Sequence, residues 1–578
     1  MDPVKLEVLR NALEGIADGM ALTVMRTSRS SVVRQSLDYS TGLLDARGEL
    51  IAQGMSQPGH LGGMPVALAA CLAACGGKVE PGDVLANNDP YEGGSHLPDI
   101  FLFKPIFDGD RLLGYACAMS HHTDIGGRVA GGNACDSSEI FQEGLRIPPL
   151  KLYERGVPNQ TLFRILEKAV RVPDKVLGDI RGQLAALTFA EREFVRLVEE
   201  IGRAELLGLL AALVDYTERL TRAAIRGLPD GEWTFTDYVD DDGFGQGPIA
   251  IVANLAKRGE EIAVDFAGTS PQCKGALNPV LASTKAMVYA VTRCILPPEI
   301  PNTAGYFRPI RVTAPPGTFV HPLPPAPVGA RALGAFRVAQ ALFGAFAQML
   351  PDRIPACSGG CELGIAMAGY DRSVLPWRPW VQLEFHNEQA IGGRPTKDGI
   401  DAQCMTLNNL ANIPVEVLEA EQPLKIDEYA MVPDTEGAGK FRGGLGMVRQ
   451  YRFLMDDTTL QVRSDRIWHA PYGLAGGQPA ALTRVILRQD GQERVMPAKF
   501  LATVNRGDAL RVVWSGAGGW GDSRERDPAL VLRDVIAGKV TPERAREVYG
   551  VVVDLARRQV DATATARERA VGRGGASS

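Results

Sequence analysis

DIFLFKPIFDGDRLLGYACAMSHH, residues 99–122, decides how the chain is read. Two apolar runs, 99–107 and 111–119, flank the turn residues Asp108-Gly109-Asp110, a pattern that predicts a β-hairpin. The second strand ends at His121-His122, so the hairpin returns these imidazoles beside the start of its first strand. Leading into that first strand is His96-Leu97-Pro98-Asp99, with an imidazole and a carboxylate three residues apart and Pro98 preventing a continuing helix. Only seven histidines occur in 578 residues, yet His96, His121 and His122 fall within 27 residues of one another. The hairpin therefore predicts a pocket of nitrogen and oxygen donors suited to a divalent cation, with glycines nearby to admit a substrate. From spacing alone the alternative stands that these are hydrogen-bonded polar residues of a turn-rich loop, Ala86 to Asp99. Asp38 and Asp45, each near a turn, are surface carboxylates by default and ligands on the sharper reading.

Working outward, the chain opens as a helix: Asp2 caps, Pro3 fits the first turn, and Val4, Leu6, Leu9, Leu13, Ile16 and Met20 recur near helical spacing. Strand-like pieces follow from Ser31 to Gln53, then an apolar helix over 64–75 after the glycines of 59–63. Residues 159–226 carry long helical periodicity, punctuated by Pro173 and stopped by Gly227 and Pro229, and suit a linker or a dimer face. Strands are expected near 233–240, 248–256 and 260–266, and helices near 281–295 and 331–350 on either side of a proline-rich connection, Pro301 to Pro327. Strands and glycine turns fill 381–515, and Asp527-Pro528 and Thr541-Pro542 each open a short helix. The expected class is α+β, a mixed multi-lobe protein with a β-rich carboxy-terminal half. Its divisions are a metal-binding amino-terminal lobe (1–155), a helical segment (156–230), a mixed α/β lobe (231–380), a β-rich lobe (381–523), carboxy-terminal helices (524–569) and a disordered tail (570–578).

Composition removes several functions. Lys plus Arg 62 against Asp plus Glu 68 leaves a net charge of −6 without a block of like charges, which argues against a nucleic-acid partner. The amino terminus lacks the basic and apolar regions of a secretory signal, and no apolar run approaches the ~20 residues that span a bilayer. A cytoplasmic location with nine reduced cysteines is expected. Gly126 to Gly132 and Gly516 to Gly521 resemble phosphate cradles but lack the lysine and hydroxyl of a P-loop, and no dinucleotide-binding order of strand, glycine turn, helix and acid occurs. Any nucleotide is thus expected on another chain. Cys357-Ser358-Gly359-Gly360-Cys361 could present a nucleophile at a turn, but no histidine lies nearer in sequence than His386, which favours a packed pair.

Further motifs accompany the hairpin: Asp38-Tyr39-Ser40, Gly93-Gly94-Ser95-His96-Leu97-Pro98-Asp99, His121-His122-Thr123-Asp124-Ile125-Gly126-Gly127, Phe141 to Pro149, Asp265 to Ser270, Arg463-Ser464-Asp465-Arg466 and Gly518 to Asp522. With them the sequence resembles, from about residue 3 to about 551, the B-type subunits of the hydantoinase/oxoprolinase family. That family includes hydantoinase B, the matching part of 5-oxoprolinase, and the alpha-type subunits of acetone and acetophenone carboxylases. The resemblance implies one divalent ion, zinc, manganese or iron by donor type, held by Asp38, His96, Asp99 and His121. His121 is preferred to His122 because it follows His96 at the family's interval, and His122, Asp124 and Glu143 become candidates for moving the proton. Two departures stand: Tyr39 replaces the commoner Phe, and Arg34-Gln35-Ser36-Leu37 lacks the acidic residue often found before Asp38.

The resemblance also implies an ATP-binding A subunit, of actin-like architecture, that phosphorylates the substrate oxygen within a hetero-oligomer. The function implied is ATP-dependent opening of a cyclic amide such as a hydantoin, N-methylhydantoin, 5-oxoproline or another lactam. ATP-dependent ketone carboxylation and a non-catalytic structural partner are the alternatives. The chain length leans towards the hydrolase, since the acetone carboxylase chain of this type is usually longer.

Overall fold

The hairpin forms, and its register organises the amino-terminal half. Strand Asp99–Asp108 pairs antiparallel with Arg111–His121 across a turn in which Gly109 has a positive φ of 60°. In this computed structural model, residues 2–573 are described except 55, 56, 58, 59, 61, 360–362, 387, 388 and 405. The two strands sit inside a seven-stranded sheet. Its order runs from Leu50–Gln53 through Tyr39–Asp45, Arg111–His121, Asp99–Asp108, Val84–Asn87 and Leu150–Glu154 to Val157–Pro158. Side chains alternate between faces as a pleated strand requires. Phe101, Phe103, Tyr115, Cys117 and Met119 pack with the helix Gly63–Ala74 on one face. Ile100, Leu102, Ala116 and Ala118 pack with the long helices Pro3–Thr27 and Pro173–Ile201 on the other.

The helical segment is integral to this layer. It consists of Gln160–Ala169, Pro173–Ile201 and Arg203–Arg226, the last two separated at Gly202, whose φ of 90° breaks the run. Pro173–Ile201 covers the sheet, and it lies so close to Pro3–Thr27 that a Cβ on Gly19 would stand 2.5 Å from the Phe189 ring. Its apolar stripe packs on the sheet it covers, so this helix is part of the amino-terminal layer.

The next sheet joins Gly231–Val239, Ile249–Arg258 and Glu261–Asp265 in antiparallel order with Ile310–Thr313 added in parallel, and it carries the helices Leu281–Ile295 and Arg331–Met349. A four-stranded sheet of Leu363–Asp371, Arg378–His386, Thr458–Arg463 and Lys499–Val504 and a five-stranded sheet make the carboxy-terminal half β-rich. One apolar core runs through these three sheets, from Val239 to Trp514, so strands on either side of residue 380 share both a sheet and a core. The protein is α+β, as its sequence pattern predicts. Asp527 and Thr541 accept from Ala529 N and Arg544 N and cap Pro528–Ile536 and Pro542–Glu547. Ala562–Arg573 forms a final helix, and the rest of the tail expected from 570 lies outside the described residues. Among the described residues no helix is long and apolar enough to cross a membrane, and the eight described cysteines are unbridged.

One buried carboxylate ties the first helix to the long one. Asp179 Oδ1 accepts from Arg29 N at 2.6 Å and Ser30 N at 2.9 Å where the chain leaves Pro3–Thr27. Asp179→Ala removes both bonds and is expected to cost about 3 kcal/mol in urea unfolding, with Asp179→Asn costing less because one acceptor oxygen remains. Equal stability of all three proteins would contradict this role.

Candidate metal centre

Tyr39 pairs with Ser120 and Asp99 with His121, and His121 N donates to Asp38 O at 3.0 Å. Asp38, His121 and Asp99 therefore stand in one row across three adjacent strands, on the face that carries Met119 and Phe101. His96 enters from the loop before the first strand. Ligand atoms of His96, Asp99 and His121, all buried, lie within 4.8 Å of one another, and the two imidazole centroids are 4.9 Å apart. Asp38 lines the same cavity with His96 and His121, outside this tightest group of three. The residue before it, Leu37, holds a φ of 62°, uncommon for a bulky side chain and a local strain at the point where the chain delivers Asp38.

The hydrogen bonds settle what this group lacks. His96 Nδ1 lies 2.8 Å from Gly329 O. A carbonyl only accepts, so Nδ1 carries the proton and Nε2 presents a lone pair. That lone pair is 3.1 Å from Asp99 Oδ1, and neither atom has a hydrogen-bond partner among the described residues. Burial lowers the pKa of His96, with Arg331 adding to the effect, so the imidazole is neutral near pH 7. Burial and His96 hold His121 well below its ordinary range, and neither of its ring nitrogens has a hydrogen-bond partner among the described residues. Burial opposes ionisation of Asp99, but its histidine and guanidinium neighbours outweigh it and hold the carboxyl well below the usual carboxylate range. Two neutral imidazoles and a carboxylate thus turn unshared electron pairs towards one point. The donor set fits a divalent cation, with the His96 Nδ1–H to carbonyl bond fixing the coordinating tautomer.

Distant segments enclose the cavity. Arg331 Nη2 donates to Asp99 Oδ2 at 2.6 Å, and its Nε donates to Ser95 Oγ. Phe385 meets His121 edge-on at 5.1 Å between centroids, and Arg463 lies over Phe385. His60, which the sequence pattern did not single out, is buried, 2.8 Å by Nδ1 from Ser40 Oγ and 3.9 Å by Nε2 from Asp99 Oδ2. Its signal in the sequence was a rare histidine in a glycine-rich turn. Gly329, Arg331 and Phe385 carried no comparable signal, and Arg463 stood only within the motif Arg463-Ser464-Asp465-Arg466, all four being 200 or more residues from the hairpin.

The three proton-transfer candidates occupy other places. His122 follows His121, so alternation turns it to the opposite face, towards Asp179 and Gln183. Asp124 Oδ1 accepts from Gly131 N at 3.1 Å and from Arg171 Nη1, and Oδ2 from Arg171 N at 2.6 Å, which shapes the glycine loop. Glu143 lies behind the cavity wall: Oε1 accepts from Val328 N at 2.8 Å and Gly329 N at 2.7 Å, the residue whose carbonyl fixes His96. Among the described residues lining the cavity, none of these three appears. Asp45 caps its own turn through Arg47 N and Glu49 N. Cys357 is buried, accepts from Arg466 Nη2 at 3.1 Å, and burial pushes its thiol up to about 11, in keeping with a packed residue, while Cys361 lies outside the described residues.

Burial raises the Glu143 carboxyl to about 8, against the opposing pull of the two backbone amides. The folded protein therefore keeps a proton that the unfolded chain releases near 4.5, and the associated stability is full below that pH and lost as pH rises towards 8. Relative to Glu143→Gln, the wild type should lose up to about 5 kcal/mol between about pH 4.5 and about pH 8; parallel unfolding curves across this range would contradict the assignment.

Comparison with known proteins follows the same residues. The model of the Hydantoinase B/oxoprolinase family matches residues 2–523. The putative D-/L-hydantoinase B-type chain of Pseudomonas sp. (strain NS671) is 32% identical over 572 residues, covering 96% of this chain and 95% of its own. The beta chain of the caprolactamase of Pseudomonas jessenii is 33% identical over 580 residues, with 99% of each chain covered. The crystal structure of the ATP-dependent caprolactamase from that organism superposes with a TM-score of 0.91 over 99% of this chain and 100% of that one, at 32% identity. A nucleotide-free acetone carboxylase structure shares the fold, with a TM-score of 0.92 over 99% of this chain and 83% of that chain, at 20% identity.

Proposed function

The chain belongs to the hydantoinase B/oxoprolinase family, and from that premise we propose that it is the metal-bearing, B-type component of an ATP-dependent amidohydrolase. Its substrate is a cyclic amide, a hydantoin, N-methylhydantoin, 5-oxoproline or other lactam, phosphorylated by an ATP-binding A subunit in a cytoplasmic hetero-oligomer. The observation that carries this reading is the lone pair of His96 Nε2 facing Asp99 Oδ1 beside a His121 ring whose nitrogens have no partner among the described residues. His96, Asp99 and His121 hold the ion, with Asp38 as the fourth donor from the same cavity. Zinc, manganese and iron all accept this nitrogen and oxygen set. When bound, such an ion supplies Lewis acidity and lowers the pKa of a water at neutral pH.

The chain's own residues do the rest. An amide resists hydrolysis through resonance, and phosphorylating its oxygen creates a leaving group. Gly329 O fixes the His96 tautomer, Arg331 orients Asp99, and Phe385 screens His121 from bulk water. Glu143 acts through the Gly329 backbone as a positioning residue, and His60, with Nε2 3.9 Å from Asp99 Oδ2, is placed to take a proton. The full-length relatives above 30% identity include chains named for a hydantoinase and a caprolactamase, which favours the hydrolase over the carboxylase.

Elemental analysis of the protein, alone and co-expressed with its A subunit, tests this. About one divalent ion per chain is expected, lost in His96→Ala together with ATP-dependent lactam opening. An active complex without stoichiometric metal, or a His96→Ala protein that keeps both metal and turnover, would overturn the reading.

A further inference from the structure

We infer that the irregular segment 406–414 is a lid over the metal cavity that opens towards an outer cleft to admit substrate; this rests on the metal reading above. The cavity is closed as it stands. All of its lining residues except Ala332 are buried, and its volume of about 40 Å³ holds about three water molecules. A five-membered lactam, with about six non-hydrogen atoms, exceeds that space, so a wall must move before one enters.

The lining points to which wall. Three segments run from the cavity to a neighbouring cleft of about 460 Å³. On helix Leu281–Ile295, Met287 lines the cavity, while Ala290 and Cys294, further along the same face, line the cleft. Gln57 lines the cavity and Gln53 and Gly54 the cleft; in the third segment Leu410 lines the cavity and Leu407 and Asn409 the cleft. The helix is packed in the core and Gln53 ends a strand, so the third segment, which belongs to no helix or strand, is the part able to swing.

Its attachments suit a reversible closure. Gln57 Nε2 donates to Asn408 Oδ1 at 2.8 Å, and Leu410 N donates to the same oxygen at 3.1 Å. Leu410 shares an apolar cluster with Phe385, the ring that meets His121. Ala411 N donates to Ser36 O at 3.0 Å, two residues before Asp38. Around the buried Leu410, residues 406–408, 411 and 412 are half-buried and Asn409 is exposed, so opening uncovers little apolar surface. Leu407 holds a φ of 76°, in the left-handed region that a branched side chain seldom adopts, and strain of this kind collects at ligand clamps and switch regions. Closure places Leu410 against the site and, through Ser36, steadies the chain that delivers Asp38. Opening loosens that chain and joins the cavity to the cleft.

Two measurements on the complex co-expressed with its A subunit test this: hydrogen exchange, read by mass spectrometry on peptides spanning 406–414 and 99–121, and the rate at which excess EDTA strips the ion. Peptide 406–414 should exchange at least about 100-fold faster than the hairpin, through local opening. Asn408→Ala removes the acceptor shared by Gln57 and Leu410, and should speed both exchange at 406–414 and ion loss about fivefold to tenfold with the hairpin unchanged. Protection of 406–414 equal to that of the hairpin in the wild type overturns the inference, and so does an Asn408→Ala protein whose ion leaves at the wild-type rate. The wild-type comparison stands by itself if the variant does not fold. A complex that holds no ion removes the preceding reading and this one with it, whereas a metal-bearing complex with a rigid segment removes only this one.

Discussion

Strand register is the constraint on which the site depends. Because Tyr39 pairs with Ser120 and Asp99 with His121, three potential donors occupy one level of one sheet face. A slip of one residue would turn His121 to the helical side and bring His122 to the cavity. The register is fixed by the tight turn at Gly109 and by burial of both faces, since Phe101, Phe103 and Met119 have a cavity-side core to fill while Ile100, Leu102 and Ala118 face the long helices. The same apolar alternation that stabilises the sheet thus selects which of the two histidines faces the cavity.

A second set of buried charges fixes the opposite wall. Helix Arg331–Met349 carries Arg331 at its start and Arg337 nearly two turns on, and Arg337 pairs with Asp465. Asp465 is also 3.3 Å from Lys499, and Arg466 bonds both oxygens of Asp237 at 3.2 and 3.1 Å. The Arg463-Ser464-Asp465-Arg466 motif therefore couples the helix that presents Arg331 to the sheet that presents Arg463. Stranding any one of these charges would leave an uncompensated ion in the core, so the pairs specify orientation more than they add stability.

What the sequence revealed follows from how local each feature is. The hairpin, His96, Asp99 and His121 lie within 26 residues, and turn chemistry with strand alternation suffices to bring them together. The choice of His121 over His122 came from a family resemblance and has a physical cause in the pleat. Gly329, Arg331, Phe385 and Arg463 arrive through tertiary packing across the chain, and no periodicity points to them. Glu143 stood out in a motif, but its position behind Gly329 makes it a support for the wall, a role visible only once its two backbone bonds are seen.

Anomalous diffraction from crystals grown with Mn²⁺ tests the central claim most directly. The account predicts one strong peak per chain, bounded by His96 Nε2, a carboxylate oxygen of Asp99 and a ring nitrogen of His121. A peak elsewhere in the chain, or none at this position at saturating manganese, would contradict it.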